Sequence, residues 1–422
     1  MPFLTCDLLA NPPSERVRHA SFGASGMAWA DLSEIAKVPN VEVTAVCDVD
    51  KGRWGNAKKR FPKAAFYQDW RELLDKEAKN IDSVNVSTPD HMHAPISVAA
   101  MQRGKHVYCQ KPLTHDLFET RRMTEIAREK GVVTQMGIQI HSESYYRTAV
   151  KILRAGVIGK IKEVHSWDDR RWGDSAPLPN RTDPVPAEFA WDLWLGIAAE
   201  RPFLRGYYHP GNWRKRLDFG VGTLGDMACH ILDPVFGALE LGSPISVRSD
   251  GPAPNQWSWA TSSRVALTFE GTKFTAGDKV LVNWSDGGAR PPEEVKALLE
   301  GQPLPGSGSI FVGTEGTLVL PHINQARLFP LAKFKGFSHR TYFEKRLNHW
   351  GEFVNACRGK GKTEVNFDYA GPLTEAVLFG SVAVRFPKTL LKWDAKALKF
   401  DSQEANAFVH REYRKGWEVK GL

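Results

Sequence analysis

The stretch VRHASFGASGMA, residues 17–28, decides the fold predicted for this chain. A short, largely apolar run ends at Phe22, and Gly23, Ser25 and Gly26 follow before Met27 begins a helical pattern. Glycines between a strand and a helix let backbone N–H groups at the helix start approach an anionic group without side-chain obstruction. The stretch therefore predicts a strand, a tight phosphate-binding turn and a helix.

The turn matches the dinucleotide pattern G-x-G-x-x-G only in part. Ser25 stands where the second glycine is usual and Ala28 where the third is, so a plain tight turn is the alternative. Asp48 ends the next apolar run, where a carboxylate accepts hydrogen bonds from an adenosine ribose. An acid there repels a 2′-phosphate and favours NAD over NADP, although Lys51 and Arg53 keep NADP open.

Strands alternate with helical segments through the first third of the chain, which indicates a parallel sheet covered on both faces. The predicted strands are VRHASF, VEVTAVC, AAFY, SVNVS, HVYC and VVTQMG. Beyond Gly137 the strands become longer and alternate with polar residues: KEVHSWDD, SRVALTFEG, DKVLVNWS and SIFVGTEGTLVL. The predicted fold class is α/β: an N-terminal Rossmann domain with a doubly wound parallel sheet, plus a C-terminal α+β domain with a large, mainly antiparallel open sheet. The predicted boundaries are 1–15 for a tail, 16–138 for the Rossmann domain and 139–422 for the second domain.

Composition limits the classes of function. The 422 residues carry a formal charge of +8, but basic residues mix with acidic ones along the chain, which disfavours nucleic-acid binding. No apolar run is long enough for a membrane helix, and residues 1–16 lack a basic start, so no membrane association and no secretory signal are expected. The five scattered cysteines form no C-x-x-C pair, which favours a reducing compartment and a cytoplasmic location.

Two further motifs end predicted strands of the first domain. The stretch STPDHMH, residues 87–93, follows the fourth strand, and Gln110, Lys111 and Pro112 follow the fifth. Because the carboxyl ends of parallel strands meet at one edge of the sheet, both motifs should face the same crevice. An exposed turn lysine is the plain alternative for Lys111.

Asp226 and His230 are four residues apart and should share one face of a helix. A carboxylate beside a histidine orients the ring and stabilises its charged form, as a general acid or base requires. A structural pair is the plain alternative. Metal binding with His91, His93 or His141 is disfavoured because no strong ligand cluster exists, and we expect no metal.

Aromatic residues are dense between Trp167 and Trp213. Their rings could pack on sugar C–H faces, with Arg170, Arg171 or Arg214 binding hydroxyls or carboxylates, or they could anchor the core or a subunit interface. Trp213 is the first candidate for the substrate side, since it precedes the Asp226 helix.

Taken together, these motifs resemble those of the glucose–fructose oxidoreductase, inositol dehydrogenase and rhizopine-catabolism family (Gfo/Idh/MocA). The glycine-rich turn, Asp48, the T-P-x-x-x-H stretch, Lys111-Pro112, the G-x-x-x-D-x-x-x-H segment ending at His230 and the stretch 349–353 follow that family's order. The family usually has E-K-P where this chain has Gln110 before the lysine. That departure removes a negative charge beside Lys111.

The resemblance implies an enzyme that transfers hydride between NAD, which could be tightly bound, and a secondary hydroxyl of a sugar, sugar derivative or cyclitol. Catalysis is expected from Lys111, His230 and Asp226, with the proton on either Lys111 or His230. The expected cofactor-binding residues are Gly23, Ser25, Gly26, Met27, Asp48, Thr88, Pro89, Asp90, His93, Gln110 and Lys111. The expected substrate-binding residues are Lys111, His141, Arg170, Trp213, Asp226 and His230.

Two other functions stay open. A glycoside hydrolase or lyase could oxidise a ring hydroxyl transiently, eliminate the glycosidic substituent, add water and reduce the ketone again. A non-catalytic NAD-binding regulator would have little need for Lys111, Asp226 and His230 together. A homodimer or homotetramer is expected, because relatives pair through the second-domain sheet.

Overall fold

The structure, a computed structural model, describes residues 15–422. The expected N-terminal tail and the absence of a signal segment therefore fall almost wholly outside the described residues. The remainder forms a first half built on a six-stranded sheet and a second half built on a nine-stranded sheet.

The first half is a six-stranded parallel sheet in the order β3-β2-β1-β4-β5-β6. Its elements are β1 (Val17–Phe22), α1 (Met27–Ile35), β2 (Val41–Cys47), α2 (Gly55–Arg60), β3 (Ala65–Tyr67), α3 (Trp70–Glu77), β4 (Ser83–Val86), α4 (His93–Gln102), β5 (His106–Cys109), α5 (Leu117–Lys130) and β6 (Thr134–Met136). The chain reverses its direction of winding at β1, between β2 and β4. A crevice opens there beyond the strand ends, where ligands of such sheets bind.

The second half is a nine-stranded sheet in the order β13-β12-β11-β7-β10-β9-β8-β14-β15. Its elements are α6 (Ser144–Arg154), β7 (Ile161–Asp168), α7 (Trp191–Leu195), α8 (Cys229–Leu239), β8 (Ser246–Ser249), β9 (Arg264–Glu270), β10 (Lys279–Asp286), α9 (Glu293–Ala297), β11 (Gly308–Gly313), β12 (Thr317–Pro321), β13 (Arg327–Phe329), α10 (His349–Cys357), α11 (Phe367–Ala383), β14 (Leu390–Asp394), β15 (Lys399–Phe400) and α12 (Gln403–Asn406). Its pairings are antiparallel except between β7 and β10. The α/β fold class with these two kinds of sheet is confirmed.

Helices α8 and α11 cover one face of this sheet. Val265, Leu267 and Val282 of the strands share a core with Val235 of α8 and Phe379 of α11. This burial fixes α8, which carries His230, against the sheet, and it contributes roughly 25 cal/mol for each Å² of apolar surface removed from water.

Residues 309–320, predicted as one strand, form two. β11 and β12 pair antiparallel around a turn in which the N–H of Gly313 donates to the carbonyl of Gly316 at 2.8 Å. Periodicity alone did not show the reversal, because apolar residues continue on both sides of the turn. The proline-rich stretch 285–309, expected as a loop, likewise contains the short helix α9.

Two segments of the second half pack against the first half. Helix α10 packs on β1 and α1, where Phe353 and Val354 join Val17 and Ile35 in one apolar cluster. Near the C-terminus, the N–H of Phe118 donates to the carbonyl of Val409 at 2.9 Å. The first half is thus held on two sides by later segments.

Candidate active site

A cavity of about 460 Å³ lies at the switch point of the parallel sheet. All eleven residues expected to contact the cofactor line it: Gly23, Ser25, Gly26, Met27, Asp48, Thr88, Pro89, Asp90, His93, Gln110 and Lys111. Asp226, His230 and Trp213 line it as well. Residues identified from six separate stretches of the sequence therefore meet around one cavity.

The turn after β1 requires its first glycine. Gly23 has φ +107°, and a Cβ there would lie 2.5 Å from the Cβ of Ala28 and 2.9 Å from the carbonyl oxygen of Ser87. Gly26, with φ +58°, precedes the first residue of α1. Backbone N–H groups at the helix start therefore face the cavity, as binding of an anionic ligand requires. Ser25, in place of the usual second glycine, does not block this access.

Asp48 holds this turn from β2. Its Oδ2 accepts from the N–H of Ala24 at 2.9 Å, and its Oδ1 accepts from the N–H of Asp50 at 3.0 Å. Burial raises the pKa of Asp48, although these backbone hydrogen bonds oppose the change. The carboxylate shapes the turn and still lines the cavity, so its remaining lone pairs can accept from a ribose hydroxyl.

A segment of the second half covers the end of β2. The N–H of Ala190 donates to the carbonyl oxygen of Val49 at 2.9 Å. In the other direction, the N–H of Lys51 donates to the carbonyl oxygen of Glu188 at 3.0 Å. His209, from the same segment, lines the cavity with its Nε2 3.2 Å from Oδ2 of Asp50. The sequence did not predict this cover, because nothing local to residues 186–211 indicates which strand end they contact.

Lys111 and Asp226 form an ion pair at the other end of the cavity. Nζ of Lys111 donates to Oδ1 of Asp226 at 3.0 Å and to its backbone carbonyl at 2.6 Å. Trp172 donates from Nε1 to Oδ2 of the carboxylate at 2.7 Å, and Arg214 donates from Nε to Oδ1 at 3.2 Å. Burial opposes ionisation of Asp226, but the charges of Lys111 and Arg214 outweigh it and hold its pKa well below the usual range.

Asp226 and His230 both line the cavity, but no hydrogen bond joins them among the described residues. Residues Leu224–Ala228 form a π-helical turn ahead of α8, which breaks the spacing that places positions four apart on one face. The carboxylate of Asp226 is bound by three other side chains, and the buried Nδ1 of His230 has no hydrogen-bond partner among the described residues. Burial and the charge of Lys111 hold the pKa of His230 well below its usual value, so the ring is uncharged near neutral pH.

Asp90 places a second carboxyl group beside this centre. It is 4% exposed, and its Oδ2 accepts from the N–H of Val221 at 3.1 Å. Burial raises the pKa of Asp90 to about 7, against the attraction of Arg214 and Lys111. It therefore holds or releases a proton near neutral pH.

His93 ties the two strand-end motifs together. Its Nδ1 lies 2.8 Å from the carbonyl oxygen of Pro112, and its Nε2 lies 2.8 Å from that of Thr88. Burial lowers the pKa of His93 to about 4, so one nitrogen donates and the ring fixes the lysine turn against the T-P-x-x-x-H stretch.

Two predicted substrate residues lie outside the cavity lining. His141 places Nδ1 2.9 Å from Oδ1 of Asp233 and Nε2 3.2 Å from Oε2 of Glu364, so both ring nitrogens are engaged away from the site. Arg170 donates to Asp168 at 2.8 Å and is half-exposed. His141 lies only five residues beyond the end of β6, but this proximity along the chain does not bring it into the crevice.

Most of the aromatic cluster is core. Trp191 and Trp194 stack at 5.0 Å, and Trp194 packs with Phe203 and Phe219 in one apolar cluster. Trp213 also belongs to that cluster, and both Trp194 and Trp213 line the cavity; the guanidinium of Arg214 lies 4.3 Å from the ring centroid of Trp213. Trp213 therefore combines a place in the core with a place in the cavity lining, and its packing on a sugar stays a prediction. Within residues 15–422, no group of three or more His, Cys, Asp or Glu side chains is placed to hold a metal ion.

Comparison with known proteins agrees with this geometry. Residues 17–138 match the family model described as "Oxidoreductase family, NAD-binding Rossmann fold", and residues 156–314 match "Oxidoreductase family, C-terminal alpha/beta domain". The chain belongs to the Gfo/Idh/MocA oxidoreductase family, and its first half is an NAD-binding Rossmann domain.

Individual relatives are more distant. The levoglucosan dehydrogenase of Pseudarthrobacter phenanthrenivorans is 27% identical over 177 residues, which are 42% of this chain and 37% of that protein. The inositol 2-dehydrogenase of Salmonella typhimurium is 31% identical over 144 residues, 33% of this chain and 42% of that protein. The chain thus spans less than half the length of these curated relatives.

Among solved structures, the WlbA dehydrogenase of Bordetella pertussis in complex with NADH and UDP-GlcNAcA has a TM-score of 0.63 at 16% identity, covering 90% of this chain and 99% of that one. At this identity the likeness shows the fold alone. No helix among the described residues has the length and apolar character to cross a membrane.

Proposed function

We propose that this protein is an NAD-dependent oxidoreductase that transfers hydride between the cofactor and a secondary hydroxyl of a sugar, sugar derivative or cyclitol. One observation carries the proposal: the Lys111–Asp226 ion pair and the neutral ring of His230 line the same cavity as a dinucleotide-binding turn. The names of the relatives, which include levoglucosan and inositol dehydrogenases, support this substrate class.

The side chains divide the work on the substrate. When bound, NAD(H) accepts or supplies the hydride. The ammonium group of Lys111, held by Asp226, donates to the reacting oxygen and stabilises negative charge on it. His230 lines the cavity and its ring is uncharged, so it can accept the hydroxyl proton during oxidation and return it during reduction.

Asp226 acts through Lys111 and Arg214. Its carboxylate lies between the two cations and keeps their donors near the reacting carbon. Trp172 fixes the other oxygen of that carboxylate. These three hydrogen bonds define the direction in which Lys111 points.

Asp90 favours a second candidate function. Cleavage of a glycoside through transient oxidation needs a further proton carrier for elimination and water addition, and simple hydride transfer does not. Asp90, with a pKa of about 7 and a place in the cavity lining, is such a group. Net cleavage without added cofactor would identify this reaction.

The test uses purified protein and a panel of sugars, cyclitols and chromogenic glycosides. We expect NADH to form or be consumed with at least one sugar or cyclitol, and Lys111→Ala to reduce kcat on the order of 100-fold or more while cofactor still binds. The exposed Lys63 provides the control variant Lys63→Ala, which keeps full activity. Absence of hydride transfer with every compound, on free or retained cofactor, contradicts the proposal.

We also propose a cytoplasmic homodimer or homotetramer. The described cysteines, Cys47, Cys109, Cys229 and Cys357, are free thiols, which suits a reducing compartment. On the sheet face away from α8, Leu281 of β10 is 36% exposed, so a second copy could bury it. Light scattering after size-exclusion chromatography measures the mass, and a monomer contradicts the assembly.

A further inference from the structure

A second imidazole lies beside His230. His322 follows β12, and the centroid of its ring is 6.1 Å from that of His230. His322 belongs to none of the motifs described above and lies 92 positions along the chain from His230. The catalytic roles proposed above do not use it.

Tyr146 of α6 fixes the orientation of His322. The tyrosine hydroxyl lies 2.7 Å from Nδ1 of His322, and Tyr146 is 2% exposed. No other hydrogen bond of this hydroxyl is found among the described residues. A buried hydroxyl proton needs an acceptor, so Tyr146 donates to Nδ1 and the neutral ring carries its own proton on Nε2.

The surroundings keep this ring neutral. Burial lowers the pKa of His322 to about 4, and the positive charges of Arg170 and Lys111 act in the same direction. Arg170 is itself paired with the buried Asp168 at 2.8 Å. His322 therefore presents an uncharged N–H donor, half-buried, next to the ring that is proposed to accept the proton.

We propose that His322, oriented by Tyr146, is a specificity-determining residue that donates Nε2–H to a sugar oxygen on a carbon next to the one oxidised at Lys111. The inference rests on the proposed sugar oxidoreductase function. His322 is not among the residues that line the cavity described above, but its ring lies 6.1 Å from that of His230, which does, so a sugar or cyclitol that extends past His230 can present a second oxygen to it. A polyol whose neighbouring carbon lacks its hydroxyl leaves the donor unpaired, and that loss discriminates against the analogue.

The experiment compares the wild type with His322→Ala, His322→Gln and Tyr146→Phe on inositol, glucose and their monodeoxy analogues. In the wild type, we expect one deoxy position to lower kcat/KM at least tenfold relative to the parent. His322→Ala should lower kcat/KM for the parent by about tenfold or more and reduce the parent-to-deoxy ratio toward one. His322→Gln, whose amide N–H can replace Nε2–H, should keep part of that ratio. Tyr146→Phe should have a parent-to-deoxy ratio between those of His322→Ala and the wild type.

Two controls separate this inference from a general effect. His410 is exposed, so His410→Ala should leave both kcat/KM and the ratio unchanged. Affinity for NADH, measured by fluorescence, should be the same in all variants. A parent-to-deoxy ratio in His322→Ala equal to that of the wild type overturns the proposal.

The proposed function and this inference fail separately. If the wild type transfers hydride but His322→Ala keeps its ratio, only the inference fails. If the wild type transfers no hydride, the function fails, and calorimetric binding of the same sugars to the cofactor-loaded protein decides the inference. Weaker binding of the parent compound by His322→Ala supports it, and equal binding or no binding by both proteins overturns it.

Discussion

The side-chain amide of Gln110 donates from Nε2 to Oδ2 of Asp31 at 2.8 Å, inside the core beneath the cavity. Asp31 is fully buried and also accepts from Ser87, Tyr108 and Trp350. One carboxylate on α1 thereby joins β4, β5 and α10. The amide in the Q-K-P sequence is explained by this contact, because a glutamate at position 110 would face a second buried carboxylate.

Gln110→Glu should therefore destabilise the protein above neutral pH by about 2 kcal/mol or more, since two buried carboxylates would be in contact. Burial already raises the pKa of Asp31 to about 6, so the loss should shrink at pH 5, where the two groups can share a proton. Urea unfolding of the wild type and of Gln110→Glu at pH 5 and pH 8 measures this loss of unfolding free energy. The double variant Gln110→Glu/Asp31→Asn restores a donor, and a single variant as stable as the wild type at pH 8 would contradict this account.

Gly23→Ala should weaken NADH binding at least tenfold and lower the melting temperature. The methyl group would meet Ala28 and the backbone of Ser87 in a turn that already has positive φ. Gly104→Ala is the matched control, because Gly104 also has positive φ, +72°, but a Cβ there contacts nothing within 4 Å. Fluorescence titration with NADH should show a loss for the first variant only, and equal affinities would refute the steric argument.

Asp48→Asn should shift cofactor preference toward NADP by about tenfold or more. The amide removes the charge that repels a 2′-phosphate, and its oxygen can still accept from the N–H of Ala24. Asp75→Asn, on the exposed face of α3, removes the same charge elsewhere and should leave preference unchanged. Dissociation constants for NADH and NADPH measure the ratio, and an unchanged ratio in Asp48→Asn counts against Asp48 as the discriminating group.

The His141 contacts predict a dependence of stability on pH. Burial opposes protonation of His141, but Asp233 and Glu364 outweigh it and raise its pKa to about 10. The folded state thus binds the proton more tightly than the unfolded state, whose histidine titrates near 6.5. This stabilisation is fully present below pH about 6.5 and is lost as pH rises toward 10.

The stability difference between the wild type and His141→Gln should accordingly shrink between pH 6.5 and pH 10. Thermal unfolding at intervals across that range measures it. His410→Gln, at an exposed histidine, should show no such trend. A constant difference between the wild type and His141→Gln would show that the imidazolium charge adds nothing.

Local pattern was sufficient for the nucleotide-binding half. The alternation of strands and helices predicted the parallel sheet, and the rule that strand ends share one edge placed Asp48, Thr88 and Lys111 in one crevice. The same reasoning did not predict the local structure around Asp226. A spacing of four implies a shared face only in a regular α-helix, and the spacing alone does not show the π-helical turn at Leu224–Ala228.

By itself, then, the sequence determined the Rossmann domain, the position of its dinucleotide turn and the identity of Lys111, Asp226 and His230 as a group. The tertiary structure decided their partners: Lys111 binds Asp226 across 115 residues of chain, Gln110 binds Asp31 across 79, and His322 stands beside His230. Periodicity reports which face of an element is buried. It carries no record of which distant side chain completes a hydrogen bond, because that depends on how separately formed layers pack.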